Sequence, residues 1–339
     1  FTSVVCMANT RPPVDNAETL AEVLAKAAKA PVRVYTVAAV SRGLGGGELT
    51  EMARLKKAGA LGFSDDGIPI RDPAFLQKAL AAVRELDLPI SLHEEDSALI
   101  GVSGINQGKV SAALGMTGAP AVSESSLVAR DCMLALDSGA RVHIQHVSCA
   151  ESLELIGLAK KLGARLTAEV TPQHFSLTED AVLRHGTLAK LNPPLRTERD
   201  RRALIAALKD GTIDMIATDH APHGAEEKAR PFAEAPGGII GLETALALGI
   251  TNLVLPGHLS LPGLIGKMTA APAALYGLEA GFLAEKGPAD ITIIDDREPW
   301  TVSGFASKSS NSPFIGQTLT GKVKLTICAG KIVYQDGEG

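Results

Sequence analysis

The chain has 339 residues, which suits one large α/β barrel with a small appendage better than one ordinary small domain. A net charge of -5 without a basic stripe argues against a nucleic-acid partner, and no apolar run approaches the ~20 residues of a membrane helix. The four cysteines are scattered without a CxxC pair, which argues against a disulfide framework or a zinc-thiolate site. We therefore expect a cytoplasmic protein.

Short apolar runs rich in β-branched residues alternate with longer helical patterns. The predicted strands are Thr2–Ala8, Val32–Val40, Ala60–Phe63, Pro89–His93, Val142–Val147, Arg165–Val170 and Asp214–Thr218. A helix is predicted at Ala17–Ala30, where Asp15 and Glu18 have capping-box spacing, and another between Thr197 and Gly211. This alternation indicates parallel strand pairing through βαβ units.

Seven predicted strands are one fewer than a closed barrel needs. We predict a (β/α)8 TIM-type barrel whose first strand is missing from this sequence, which opens on Phe1 directly before a strand-like run. The alternative is an open doubly wound sheet, which needs no eighth strand. Polar residues clustered at the strand ends favour the barrel, because one barrel mouth explains them.

The pattern changes near residue 281. Ala289–Ile294 and Lys322–Tyr334 resemble antiparallel strands, and Gly330 marks a hairpin turn inside the second. We predict a metal-dependent hydrolase barrel over residues 1–280 and the C-terminal part of a small β-sandwich appendage over residues 281–339.

Candidate metal ligands follow four of the predicted strands: Asp66 (or its neighbour Asp65), His93, His146 and Asp219. The carboxyl ends of parallel barrel strands meet at one mouth, and His and Asp supply the N and O ligands that zinc accepts. Singly, each residue has a structural explanation: a core histidine, an Asp-Gly turn or a helix cap. Four together at one rim favour a metal site.

His143 competes with His146 for a place in this site. The two residues are an odd number of positions apart, so strand alternation directs them to opposite faces. We choose His146 because it is nearer the end of the predicted strand.

Several motifs together resemble the class I bacterial dihydroorotases of the amidohydrolase superfamily, along nearly the whole chain. They include Asp219-His220-Ala221-Pro222-His223, Asn192-Pro193-Pro194-Leu195-Arg196, Phe63-Ser64-Asp65-Asp66-Gly67, His93-Glu94-Glu95 and Asn311-Ser312-Pro313-Phe314. The first two are specific in combination, whereas the His-Glu-Glu motif alone would be weak.

The resemblance implies a binuclear zinc site, with two Zn²⁺ per complete chain. It assigns the bridging carboxylate to Asp66, ligands of one zinc to His93 and His146, and a ligand of the other zinc to Asp219. Asp219 is also the implied catalytic base and acid. Residues implied to bind substrate are Asn9, Asn192, His223, Gly237, Gly238 and Ile239. His174 is left with a supporting or structural role.

One family motif is missing from this sequence. The resemblance implies a His-x-His-Phe-Arg motif on the first barrel strand, with two zinc ligands and a carboxylate-binding Arg. We therefore expect an N-terminal segment of ~80 residues upstream of Phe1, by the size of a strand, a helix and half of the appendage. By itself this sequence would form an incomplete two-metal site and lack activity.

The implied reaction is the reversible hydrolysis of dihydroorotate to N-carbamoyl-L-aspartate in pyrimidine biosynthesis. The alternatives are another cyclic amidohydrolase, such as an allantoinase or dihydropyrimidinase, and a non-catalytic partner of aspartate transcarbamoylase. A homodimer and an aspartate transcarbamoylase partner are both left open.

Overall fold

The computed structural model describes residues 1–337 as strands that alternate with helices, followed by a small antiparallel sheet. The strands are β1 (Ser3–Cys6), β2 (Arg33–Thr36), β3 (Ile90–Leu92), β4 (Val142–Ile144), β5 (Leu166–Val170), β6 (Met215–Ile216), β7 (Ile291–Thr301), β8 (Thr318–Cys328) and β9 (Lys331–Gln335). The helices are α1 (Ala17–Ala27), α2 (Met52–Ala58), α3 (Pro73–Glu85), α4 (Lys109–Ala113), α5 (Val122–Ser138), α6 (Ala150–Lys161), α7 (Pro172–Ser176), α8 (Ala181–His185), α9 (Glu198–Asp210), α10 (Ala225–Lys228), α11 (Ala245–Gly249), α12 (Leu261–Met268) and α13 (Ala270–Tyr276). None of these helices combines the length and the apolar character that crossing a bilayer requires.

The parallel strands lie in sequential order. β1 pairs with β2, and β3, β4, β5 and β6 pair in succession, all in parallel. Single parallel bridges from Ala38 to Phe63 and from Phe63 to Ile90 join the two groups. A doubly wound sheet reverses its strand order at a switch point, whereas a barrel adds each strand beside the last. The barrel prediction is therefore confirmed, and the open-sheet alternative is wrong.

The barrel core lies between the strands and the helices around them. On β4, Val142 and Ile144 are buried against this layer, together with Leu76 and Leu80 of α3. Strands covered on both faces carry continuous apolar runs, which is the pattern on which the strand predictions depended.

The helix boundaries follow local capping chemistry. Thr197 caps α9 by accepting from the Asp200 N–H, and Gly211 ends this helix with φ 89, as predicted. The predicted cap of α1 was wrong by one residue. Asn16, not Asp15, accepts from the Thr19 N–H, because the Asp15 carboxylate instead accepts from the Gly43 N–H, 28 residues away.

The C-terminal strands β7, β8 and β9 form an antiparallel sheet. Ala329 and Gly330 connect β8 to β9 with φ 50 and 76, the left-handed values that a tight hairpin requires. The appendage boundary at residue 281 stays a prediction, and Glu338 and Gly339 lie outside the described residues.

Candidate active site

Three of the predicted ligands converge at the carboxyl end of the barrel. One ligand atom each of Asp66, His93 and His146 lies within 4.8 Å of the others. His93 Nδ1 is 2.9 Å from His146 Nε2, and Asp66 Oδ1 is 3.8 Å and 3.6 Å from these two nitrogens. Two imidazole nitrogens and a carboxylate oxygen aimed at one point fit a divalent metal ion with mixed N and O ligands.

Local backbone geometry directs these side chains to the centre of the mouth. Gly67 has φ 83, which closes the turn that presents Asp66, and the Asp66 N–H donates to Ser64 Oγ at 3.1 Å. β4 ends at Ile144, and His146 has φ 33. Strand alternation therefore does not set the direction of the His146 side chain. A non-glycine residue in the left-handed region is strained, and such strain concentrates at functional sites.

The two adjacent carboxylates Asp65 and Asp66 have different partners. Asp65 accepts hydrogen bonds from the Val40 N–H at 2.7 Å and from the N–H and hydroxyl of Ser41, so it holds the loop after β2. Asp66 instead faces the histidines, and its Oδ2 accepts from Asn9 Nδ2 at 3.0 Å. The geometry therefore favours Asp66 as the ligand and places Asn9 beside it.

Asp219 follows β6 and adopts φ 44. It is not one of the three residues that meet within 4.8 Å, but it lies close enough for their charges to act on it. Burial, reinforced by the carboxylates of Asp66 and Glu169 and opposed by His146 and His93, raises the pKa of Asp219 to about 6. This carboxylate can therefore gain and lose a proton near neutral pH.

The carboxylates around His146 favour a positive charge. Burial lowers the pKa of His146, but the hydrogen bond to Asp66 and the charges of Asp219, Asp66 and Glu169 outweigh burial and raise it to about 9. A site whose acidic groups stabilise a cation at this point is electrostatically suited to a metal ion.

Glu95 orients His93 from the opposite side. Its Oε2 lies 3.3 Å from His93 Nε2, while His93 Nδ1 faces Asp66 and His146. A carboxylate on the outer nitrogen of a metal-binding histidine fixes the tautomer and raises the basicity of the imidazole. From sequence, Glu95 is only the last residue of the weak His-Glu-Glu motif, without a predicted role. The available signal was its position two residues after His93, at the mouth of the barrel.

We expect Glu95→Gln to weaken metal binding about tenfold, because the amide keeps a hydrogen bond but loses the charge that strengthens the imidazole. Competition with a chromogenic chelator measures this affinity. Glu48→Gln is the matched control, since its side chain is 74% exposed in a surface ion pair. Equal metal affinity in the two variants would show that Glu95 does not contribute to metal binding.

Four of the residues assigned to substrate lie close together in two pairs, Asn192 with Gly237 and His223 with Gly238. A Cβ added at Gly237 would lie 3.1 Å from Asn192 Nδ2, and one at Gly238 would lie 2.9 Å from His223 Nε2. These glycines therefore permit a closer approach of backbone and side chains than a residue with a Cβ would allow without a shift of its neighbours. Ile239 is 1% exposed and packs in a small apolar cluster, so only its backbone is placed to meet a substrate.

His174 is a buried residue that contacts the backbone next to Asn192. Its Nε2 lies 2.9 Å from the Pro193 carbonyl oxygen and its Nδ1 lies 2.8 Å from Thr171 Oγ1. Burial lowers the pKa of His174 to about 3, so the ring is neutral, with Nε2 donating to Pro193 and Nδ1 accepting from Thr171. His174 thus fixes the residue next to Asn192.

Comparison with known proteins gives two kinds of relative. The family model described as Dihydro-orotase-like matches residues 1–152. The dihydroorotase of Clostridioides difficile (strain 630) is 54% identical over 334 residues, which are 98% of this chain and 79% of that protein. The dihydroorotase of Clostridium acetobutylicum is 55% identical over 338 residues, covering 99% of this chain and 80% of that protein.

Among solved structures, the L-hydantoinase (dihydropyrimidinase) from Arthrobacter aurescens superposes with a TM-score of 0.88 at 28% sequence identity. The match covers 99% of this chain and 78% of that one. The barrel and its cluster of His and Asp at the strand ends define a metal-dependent hydrolase of the amidohydrolase superfamily. Within that class, identity above 50% over nearly the whole chain is decisive: the chain belongs to the dihydroorotase family. The predicted family and enzyme class are confirmed.

Proposed function

We propose that Asp66, His93, His146 and Asp219 are the metal ligands with which this dihydroorotase hydrolyses the cyclic amide of dihydroorotate to N-carbamoyl-L-aspartate. The observation that carries the proposal is the convergence of the Asp66, His93 and His146 ligand atoms within 4.8 Å, after the bridging residue Phe63 and after β3 and β4. Asp219 follows β6, and the charges of His146, Asp66 and His93 act on its pKa.

The metal proposed for this site is zinc, two ions per complete chain. Two histidines and two aspartates form a borderline N and O donor set that would hold zinc, and Asp66 is the carboxylate that faces both histidines. When bound, the metal supplies Lewis acidity, which lowers the pKa of a coordinated water and polarises the scissile carbonyl.

Asp219 is proposed to carry the proton through the reaction. It accepts a proton from the attacking water as the new C–O bond forms at the ring carbonyl carbon. It then delivers that proton to the ring nitrogen as the C–N bond breaks, so the nitrogen leaves neutral. One residue thus serves as base and then acid, which suits a carboxylate whose pKa is raised towards neutrality.

The remaining site residues are proposed to bind the substrate. Asn9 and His223 orient the substrate carboxylate, Asn192 holds the ring, and the backbone of Gly237–Ile239 meets the amide edge. The short distances that join Asn192, His223 and the two glycines support this grouping. Holding the reactants in one geometry lowers the barrier, because the entropic cost is met on binding.

Substrate discrimination tests the proposal. The full-length protein is expected to hydrolyse dihydroorotate with kcat/KM about 10⁴-fold above that for dihydrouracil, because an analogue without the carboxylate leaves the groups that orient it unpaired. Steady-state assays with dihydroorotate, dihydrouracil, hydantoin and allantoin measure this ratio. Preference for any of the other three would contradict the assignment.

Assembly and location stay predictions. A cytoplasmic location is our expectation from the composition, whereas a homodimer and association with aspartate transcarbamoylase are both left open. Light scattering of the purified protein, with and without the transcarbamoylase, tests the first two.

A further inference from the structure

A buried lysine lies directly beneath the segment assigned to the substrate amide. Lys228 ends α10 and is 4% exposed. Its Nζ donates to the Pro236 carbonyl at 2.9 Å, to the Gly238 carbonyl at 3.0 Å and to the Lys190 carbonyl at 3.4 Å. All three donor positions of the ammonium are thus directed at backbone oxygens, two of them in the loop 236–238.

In the described part of the chain, Lys228 forms no ion pair with a carboxylate. Within residues 1–337, the charged group that acts on its ammonium is another cation, Lys190, which is itself 1% exposed. Lys190 Nζ donates to the Phe232 carbonyl at 2.6 Å and lies 5.1 Å from the Phe232 ring centroid. Buried charges in proteins are normally paired, so two unpaired cations under one loop require an explanation.

The loop that Lys228 contacts, residues 236–238, also forms hydrogen bonds with Asn311 and with the Lys190 backbone. The Gly238 carbonyl also accepts from Asn311 Nδ2 at 3.0 Å, and the Gly238 N–H donates to the Lys190 carbonyl. Asn311 Nδ2 donates further to the Ala221 carbonyl, and its Oδ1 accepts from the His223 N–H at 3.2 Å. Lys228 and Asn311 therefore fix Gly238 against the segment that carries His223. This gives a structural role to the Asn-Ser-Pro-Phe motif, to which the resemblance assigned none.

Lys228 also acts on His223 through space. Burial first, and then the charge of Lys228, lower the pKa of His223, so this ring lies within reach of the ammonium. His223 is the residue proposed to hold the substrate carboxylate. The excess positive charge thus lies next to the expected position of a negative charge.

We propose that Lys228 is a positioning residue of this enzyme: it fixes the Gly237–Ile239 segment through the Gly238 carbonyl, and its charge favours binding of the anionic substrate. The inference rests on the proposed substrate site. A neutral side chain would satisfy fewer of the carbonyls and would supply no attraction for a carboxylate.

The charge on Lys228 is predicted to give binding its own pH dependence. Burial and Lys190 lower the pKa of Lys228 to about 8, so the cation is present below pH 8 and is lost above it. Lys190 and His223 interact with this charge, and Glu227 Oε2 lies 3.8 Å from His223 Nδ1. Burial and the charge of Lys228 lower the pKa of His223 away from this range. The KM for dihydroorotate should therefore rise between about pH 8 and pH 9.5 as the attraction fades.

The test compares Lys228→Met, Lys228→Arg and the unaltered protein from the complete gene, with KM and kcat measured from pH 7 to 9.5. We expect Lys228→Met to raise KM about tenfold at pH 7 with little change in kcat, and to show no further rise of KM at high pH. Lys228→Arg keeps its charge at high pH, so it should restore part of the affinity and flatten the same rise. Lys57→Met, at an exposed helix position, is the control.

Two results would overturn the inference. One is a KM in the unaltered protein that stays constant from pH 7 to 9.5, which requires no variant to fold. The other is a Lys228→Met variant with lower thermal stability but normal KM and an unchanged pH profile, which would make Lys228 merely structural. Failure of the unaltered protein to hydrolyse dihydroorotate at pH 7 would instead refute the proposed function, and these outcomes are therefore distinguishable.

Discussion

Replacing Asp219 by Asn is expected to lower kcat about 10³-fold, within the range typical for loss of a general acid–base group. The amide is nearly the same size as the carboxylate but cannot accept and return a proton near neutral pH. Asn also tolerates the left-handed backbone of position 219, where φ is 44, so the fold should be retained. The measurement is kcat for dihydroorotate at saturating zinc, which prevents weaker metal binding from imitating a slower proton transfer.

Asp87 provides the matched control for this substitution. It is also an aspartate with positive φ (47), but its side chain is 76% exposed and pairs with surface arginines. Asp87→Asn should leave kcat unchanged. If Asp219→Asn retained kcat within tenfold of the unaltered protein, the proton carrier would have to be another residue, and Glu169 would be the next to test.

The second large effect is expected from loss of a histidine ligand. His146→Asn should reduce zinc affinity at least ~10²-fold, since even the partners that orient metal-binding histidines contribute 10- to 100-fold. Activity without added zinc should fall with it. Asn suits the backbone at φ 33, and it removes both ring nitrogens without adding bulk.

Metal analysis and a zinc titration of activity measure this effect. The unaltered full-length protein should contain about two zinc per chain, lose activity on chelation and recover it on addition of zinc. His258→Asn, at an exposed position, should behave like the unaltered protein. An unaltered protein without bound metal would instead support the non-catalytic alternative.

The general position of the site could be predicted from sequence, but the roles of neighbouring residues could not. Parallel pairing brings the ends of all barrel strands to one mouth, so residues just after strands can be grouped from the sequence alone. The choice between Asp65 and Asp66 was open, because both follow the same strand in the same turn. It depends on Val40 and Ser41, which bind Asp65 from 25 and 24 residues away.

The contacts that support the site also could not be predicted from the sequence. Nothing in the segment around Lys228 indicates that its ammonium meets the Gly238 carbonyl, or that Asn311 reaches the same oxygen across 73 residues. The cap of α1 is a smaller example. The Asp15 carboxylate could have capped this helix, but it accepts a hydrogen bond from the Gly43 N–H, and Asn16 caps the helix instead. The local sequence pattern indicates which groups can form hydrogen bonds. Which partner each group has depends on how distant loops come together in the fold.

The sequence by itself therefore determined the alternation of strands and helices, the parallel barrel and the family. The reason is that the periodicity of apolar residues and the spacing of motifs are properties of the sequence itself. Only the tertiary structure decided which side chain of a turn faces the cluster, how Glu95 orients His93, and what fixes the loop at Gly238. The physical reason is that burial follows from the identity of each residue, whereas the direction of a side chain follows from φ and ψ at its own position. At His146 and Asp219 those angles lie in the left-handed region, which strand and helix patterns do not predict.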